Sequence, residues 1–408
     1  MNAVIQKVWR RWVVFGLWVA VIFTTATLGN ALQSWITRAL GDGAIRLAIS
    51  GVLLAMVGSL AVLARRRPEA FSRGRIGWIL ALVALTAALV WRLRVLAEPA
   101  HLVLYGTLSA LAFWALSGHV RDQGIYLAAT AIAGIVGILE EAYQWLLPKR
   151  YWDLHDITLN VTAAVLVQLL IWRGIRPRHL AAGCSRRSLR LAVALTAVAV
   201  ALLSASLMNT PPRIDAYAAR IPALAFLGQQ LSTRMVDYGH AHDDPEIGRF
   251  QSRLTLKELE HADRERGAEA AELIRRLGRK DRYHRLQVFY PSHEAPFVFE
   301  AGGHLFVRDR YLERSRSHPD AAERRRLATA AFRETLLLER YFPNTLAHLG
   351  EGLPVDVRQE LAEQHQPEAA FTSEVANWFV TNFSEAQARW ALGLSLLGLA
   401  VAYRALKP

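Results

Sequence analysis

Two short patterns in this chain carry side chains able to bind polar groups or move protons. Glu98, His101 and Tyr105 are spaced i, i+3, i+7, which puts a carboxylate, an imidazole and a phenol on one face of a helix. Glu140, Glu141 and Gln144 come next, then Arg150, Asp153, Asp156 and Asn160, with Asn160 one helical turn beyond Asp156. The forked guanidinium of Arg150 matches phosphate or carboxylate. Carboxylates and an amide can hydrogen-bond a lipid headgroup, and Glu141 with His101 offers a general base and a general acid. The structural alternative is a network that ties helix ends together, with Arg150 paired to Glu141 or Asp156.

Apolar runs of bilayer-crossing length, about 20 residues each, flank both patterns. They cover Trp12–Thr37, Leu47–Ala64, Ile76–Trp91, Leu102–Gly118, Gly124–Leu139 (continuing helically into Glu140), Ile157–Trp172 and Leu191–Met208. An eighth, Trp390–Tyr403, has 14 uncharged residues and spans if Arg389 and Arg404 snorkel outward. Lys7, Arg10 and Arg11 before the first run resemble the start of a signal peptide, but the length of that run predicts an uncleaved anchor. The expected fold is therefore an all-α polytopic membrane helix bundle of about eight transmembrane helices, with one mostly helical α+β extracytoplasmic domain.

Loop charges set the orientation. The N-terminal tail, the loop Arg65–Arg75 and the loop Arg173–Arg190 are arginine-rich and fall on alternate connections, which makes that side cytoplasmic. Both termini are then inside, while loops 92–101 and 148–156 and residues 209–384 lie outside. The organisation read from this is a membrane domain over 1–175, a cytoplasmic loop and seventh helix over 176–208, an outer domain over 209–384 and a last helix over 385–408. Every residue of the two polar patterns falls on the outer side.

The patterns Glu98-x-x-His101-x-x-x-Tyr105 and Glu141-x-x-Gln144-x-x-x-Pro148-x-Arg150-x-x-Asp153-x-x-Asp156-x-x-x-Asn160 resemble the VanZ-like family, bacterial membrane proteins named for a glycopeptide resistance factor. The resemblance covers roughly residues 12–172. Lys149 stands where the family often has glycine, and Ala163 where a glycine usually follows the asparagine. The resemblance implies the bacterial inner membrane and an envelope role near cell-wall lipids. The partner it implies is a membrane lipid, a lipid-linked cell-wall intermediate or a glycopeptide-related ligand. It supplies no reaction, so catalysis by Glu141 and His101 and a non-catalytic scaffold both stay open.

The net charge of +13 would suggest nucleic acid in a soluble protein. Residues 209–384, however, carry 24 Lys and Arg against 26 Asp and Glu, and the rest carries 24 against 9. The excess therefore belongs to the membrane half, and no nucleic-acid partner is expected. A single cysteine, Cys184, allows no disulfide within the chain. No metal or cofactor is expected: the run His240-Ala241-His242-Asp243-Asp244 lacks metal-site spacing and reads as a solvated loop. Arg324, Arg325 and Arg326 read as a solvated helix face, and Trp91, Trp114 and Trp152 as an aromatic belt.

Within 209–384, Pro211-Pro212 reads as an extended linker and Leu254–Leu277 as an amphipathic helix. Arg285–Tyr290, Pro296–Glu300 and His304–Arg308 read as strands, the last two turning at Ala301-Gly302-Gly303. Helices are expected from Pro319 and Asp320 to about Tyr341, and near 354–365 and 368–383. This domain is a candidate surface for envelope protein partners.

Overall fold

The computed structural model describes all residues except 1–2, 41–50, 52–57, 59–64, 66–71, 93–97, 148–151, 229–234, 236, 280–281, 291, 293, 377–379, 382 and 408. The chain divides into two compact units, one of Met1–Ser206 with Trp390–Pro408, the other of Leu207–Arg389.

Among the described residues the regular elements of the first unit are helices. It contains α1 (Ala3–Leu40), α2 (Arg73–Arg92), α3 (Glu98–Leu116), α4 (Gly124–Trp145), α5 (Leu154–Leu169) and α6 (Arg186–Leu207). A π-helical turn, Leu170–Ile175, extends α5 until Arg176 adopts left-handed backbone at φ 49°. Among the described residues six segments are long and apolar enough to cross a membrane: Val8–Leu28, Arg73–Val90, Pro99–Leu116, Gly124–Trp145, Leu154–Ile175 and Arg186–Leu207. Several such helices in one chain mark a membrane protein. The expected span 47–64 lies almost wholly outside the described residues. The expected eighth span falls in a final helix, Glu385–Ala405, which is not among the six because Arg389 and Arg404 bound its apolar stretch.

Helices α3, α4 and α5 form the packed heart of this unit, with Leu108, Ala112, Ile125, Ala129, Ala133 and Ala164 fully buried between them. Alanine and glycine let the backbones approach. A Cβ on Gly137 would lie 3.2 Å from Asn160 and 3.3 Å from Tyr105, so α4 can pass this close to α5 and α3 only with glycine there.

In the second unit come α7 (Pro211–Ala218), α8 (Ala225–Gly228), β1 (Asp237–Tyr238), β2 (His240–Asp244), β3 (Gly248–Ser252), α9 (Leu256–Arg276) and α10 (Arg282–Phe289). They are followed by α11 (Pro296–Ser317), α12 (Ala321–Tyr341), α13 (Pro343–Leu349), α14 (Val355–Gln364), β4 (Val380–Thr381) and the start of α15 (Glu385–Ala405). Thr255 and Glu258 close a reciprocal capping box on α9, and Asp320 caps α12 through Ala322 N–H. Phe250, Leu259, Ile274, Leu286, Phe299, Leu337 and Phe342 form the core.

Four expectations for this unit need correction. The segments 285–290, 296–300 and 304–308 are helical, lying in α10 and α11. Helix α11 is buried on nearly all sides, and a continuous apolar run cannot tell such a helix from a strand. Gly302 and Gly303 are contact positions here and not a turn, since added Cβ atoms would meet Leu286 at 2.7 Å and Val375 at 3.1 Å. Pro211 and Pro212 open α7, where the missing N–H costs nothing. Residues 240–244 are a strand paired with β3, His242 facing Phe250 with ring centroids 5.0 Å apart. The described part of 368–383 is not a helix. It pairs through Arg249 N–H to Phe371 O and Ser373 N–H to Arg249 O, then ends in β4, parallel to β1.

Candidate functional site

At one end of the α3–α4–α5 cluster the two polar patterns meet. His101 and Tyr105 stack on α3 with centroids 6.3 Å apart and planes 5° from parallel. His101 Nδ1 lies 2.9 Å from Asn160 Oδ1 on α5, and His101 Nε2 lies 3.6 Å from Asp156 Oδ2 one turn earlier. Tyr105 donates its hydroxyl to Glu140 Oε2 at 3.3 Å. Gln144 Nε2 donates to Glu140 Oε1 at 2.6 Å and to Glu141 Oε1 at 2.9 Å, so one amide bridges both carboxylates. Glu141 Oε2 accepts the backbone N–H of Asp153 at 3.0 Å. Asp153 in turn caps α5, accepting from His155 N–H at 2.7 Å, and Asp156 adds negative charge to that helix's first turn.

The residues therefore form two layers. Tyr105, Glu140, Glu141, Gln144 and Asn160 are buried, while the His101 and Asp156 side chains are 16% and 23% exposed and form the mouth. Among the sequence-predicted residues, His101, Tyr105, Glu140, Glu141, Gln144, Asp153, Asp156 and Asn160 come together. Glu98 opens α3, but its side chain lies outside the described residues, as does all of Arg150.

Two donors in this region have no hydrogen-bond partner among the described residues: Asn160 Nδ2 and Trp152 Nε1, on residues exposed by 0% and 4%. Buried polar groups left unmade are rare and costly. Trp152 precedes the helix-capping Asp153, and reading it as a belt residue from its type alone gave no sign of this. Sequence reasoning also missed Gly137, whose close approach fixes the spacing of Asn160 and Tyr105. A third omission was the intramembrane pair Ser109–Gln168, where Gln168 Nε2 donates to Ser109 O at 2.9 Å and Oγ at 2.8 Å. A polar residue in mid-span was the available signal.

The second unit buries charge differently. Asp263 accepts from Asn344 N–H, Asn344 Nδ2, Thr345 N–H and Thr345 Oγ1 at 2.7–3.0 Å. Glu334 binds His304 Nδ1 and Ser373 Oγ, each at 2.7 Å. Glu300 accepts from Ser252 Oγ at 2.5 Å and Arg253 N–H at 2.9 Å, and burial pushes its carboxyl upward. These acids sit in the core and tie segments distant in sequence together.

Among the described residues no three His, Cys, Asp or Glu side chains are grouped to hold a metal ion. The chain matches no protein-family model, no characterised protein and no solved structure. The VanZ-like resemblance thus rests on the motif residues alone.

Proposed function

We propose that this chain is a VanZ-like, multi-pass protein of the bacterial inner membrane whose polar cluster faces outward and binds the headgroup of a lipid-linked envelope component. The observation that carries the reading is the two-layer cluster: a slightly exposed imidazole and carboxylate over buried acids and amides at the end of three spans. Burying so many polar groups beside lipid is costly and marks functional positions by default. Headgroup binding is favoured over acid–base catalysis because both Glu141 oxygens are already engaged and the residue is fully buried. A general base needs a free oxygen within reach of the proton it takes. Residues 209–384 contribute contacts to envelope protein partners.

Orientation is tested by reporter fusions, expected cytoplasmic after residues 70, 120 and 180 and external after 40, 152 and 300. Ligand binding is tested by mass spectrometry of lipids that co-purify with the full chain. A defined lipid species retained by the parent should be lost from His101→Ala, and identical lipid profiles for the two would remove the ligand site.

A further inference from the structure

Helices α6 and α15 leave a hollow of about 480 Å³ between them, walled by Ala194, Ala197 and Ala201 on one side and Leu396, Ala400 and Tyr403 on the other. Three short side chains spaced i, i+3, i+7 on one face of α6 make the space, and no wall residue is charged. Both stretches belong to the first unit. The loop before α6 is tied to the connection between α3 and α4, through Gln123 N–H to Gly183 O and Ala181 N–H to Arg121 O. Helix α6 therefore starts at the opposite end of the bundle from the polar cluster, and what the hollow holds does not depend on the headgroup reading above.

That end of the hollow is basic. Arg190, one turn before Ala194, places its guanidinium 4.3 Å from the centroid of the Tyr403 ring, which is itself a wall. Arg186 and Arg187 precede it on α6, and Arg404 and Lys407 follow Tyr403. Asp122, the acid bound to the start of α6, is already engaged by Gly124 N–H at 2.9 Å and Ser185 N–H at 3.2 Å. Arg190 Nε is shielded from water and has no hydrogen-bond partner among the described residues. A guanidinium stacked on a ring keeps its edge donors for an oxyanion, and phosphate fits that fork.

Length and shape identify the rest of the occupant. From Arg190 to Ala201 is eleven residues, about 16 Å of helix, close to half of the roughly 30 Å hydrocarbon core. A helix, about 10 Å across with its side chains, would cover this slot without entering it, whereas a single acyl chain enters. We infer that the α6–α15 hollow holds one acyl chain of an anionic phospholipid, with its phosphate on Arg190 and the neighbouring cations. Basic pockets between membrane helices suit such headgroups.

The test is native mass spectrometry of the delipidated full-length protein, titrated with phosphatidylglycerol and phosphatidylcholine of identical acyl chains. The parent should bind phosphatidylglycerol at least about tenfold more tightly, as expected where several basic residues face one anionic headgroup. Arg190→Gln should cut that preference about fivefold with little change in melting temperature. Arg178→Gln removes the same charge from an exposed position in the loop before α6 and should leave the preference within about twofold. Ala197→Phe fills the hollow and should weaken both lipids about tenfold, since a few methylenes lose their burial. Ala201→Phe should act alike, and because Ala201 is exposed its ring cannot disturb the bundle, so it decides the case if Ala197→Phe melts early.

Equal affinity of the parent for the two lipids, or an equal loss in Arg178→Gln, overturns the headgroup contact at Arg190. Lipid binding unchanged in Ala201→Phe overturns the hollow as the seat of the tail. A parent that measures as a dimer and becomes monomeric in Ala201→Phe gives the hollow to a second copy of this chain and overturns the lipid assignment.

Discussion

The chain buries acids in two places and treats them in opposite ways. In the second unit Asp263 accepts four hydrogen bonds from α13, and Glu334 and Glu300 each hold partners from separate segments, so these carboxylates act as internal fasteners. In the bundle Glu140 and Glu141 share one Gln144 amide, the neighbouring Asn160 and Trp152 keep unmade donors, and the mouth stays partly open. A completed network fixes a fold. A network that leaves the Asn160 and Trp152 donors unmade among the described residues is the arrangement that the proposed headgroup site requires.

If this contrast is right, substitutions should separate stability from binding. The largest stability loss is expected for Asp263→Ala, which strands two backbone N–H groups and two side-chain donors around α13. At about 1–3 kcal/mol for each buried donor left unpaired, the second unit should lose roughly 3 kcal/mol or more, read as lost hydrogen-exchange protection in the full chain. Lipid binding by the bundle should be unaffected, and a loss of both would blur the comparison.

A smaller effect is expected for Gly137→Ala. Its new Cβ would press on Asn160 and Tyr105, costing about 1–3 kcal/mol in thermal stability. Because Asn160 holds His101, lipid retention should fall in the same variant.

Next comes a pH effect confined to the second unit. Burial raises the Glu351 carboxyl, but two hydrogen bonds from buried Arg282, at 2.7 and 2.8 Å, and the nearby Arg279 outweigh it and hold the carboxyl below its usual range. A depressed carboxyl contributes stability above its unfolded value of about 4.3, and that contribution is lost as pH falls through the folded value. Hydrogen-exchange protection around α10 should therefore drop on acidification below about pH 4. The same profile should be flatter in Glu351→Gln.

Least of all should happen to stability in Asp156→Asn. A partly exposed mouth residue that faces His101 at 3.6 Å should move the melting free energy by no more than about 1 kcal/mol. A large loss there would make the bundle cluster a fastener like its counterpart.

Much of the bundle and of its site was legible in the sequence. Bilayer-length apolar runs fix five of the described spans closely, and i, i+3, i+4 spacing puts His101 with Tyr105 and Glu140 with Gln144 on shared faces. That His101 meets Asn160 across 59 positions was anticipated from three polar helix ends sharing one side. The unmade donor on Trp152 was not legible, because burial of one ring nitrogen depends on neighbours that no local pattern encodes. In the second unit α9, α12 and α14 follow from periodicity and caps, whereas α11 was misread. Its glycines serve Leu286 and Val375, contacts set by tertiary packing, and a helix wrapped on all sides loses the polar stripe that identifies its period.

The most direct test of the central claim is an experimental density map of the full chain extracted from its native membrane into nanodiscs, without detergent. The account predicts non-protein density touching Asp156, His101 and the Trp152 indole N–H, continuous with a lipid tail along α3 or α5. A map in which His101 closes onto Asp156, Trp152 finds a protein partner and no ligand density remains would contradict it.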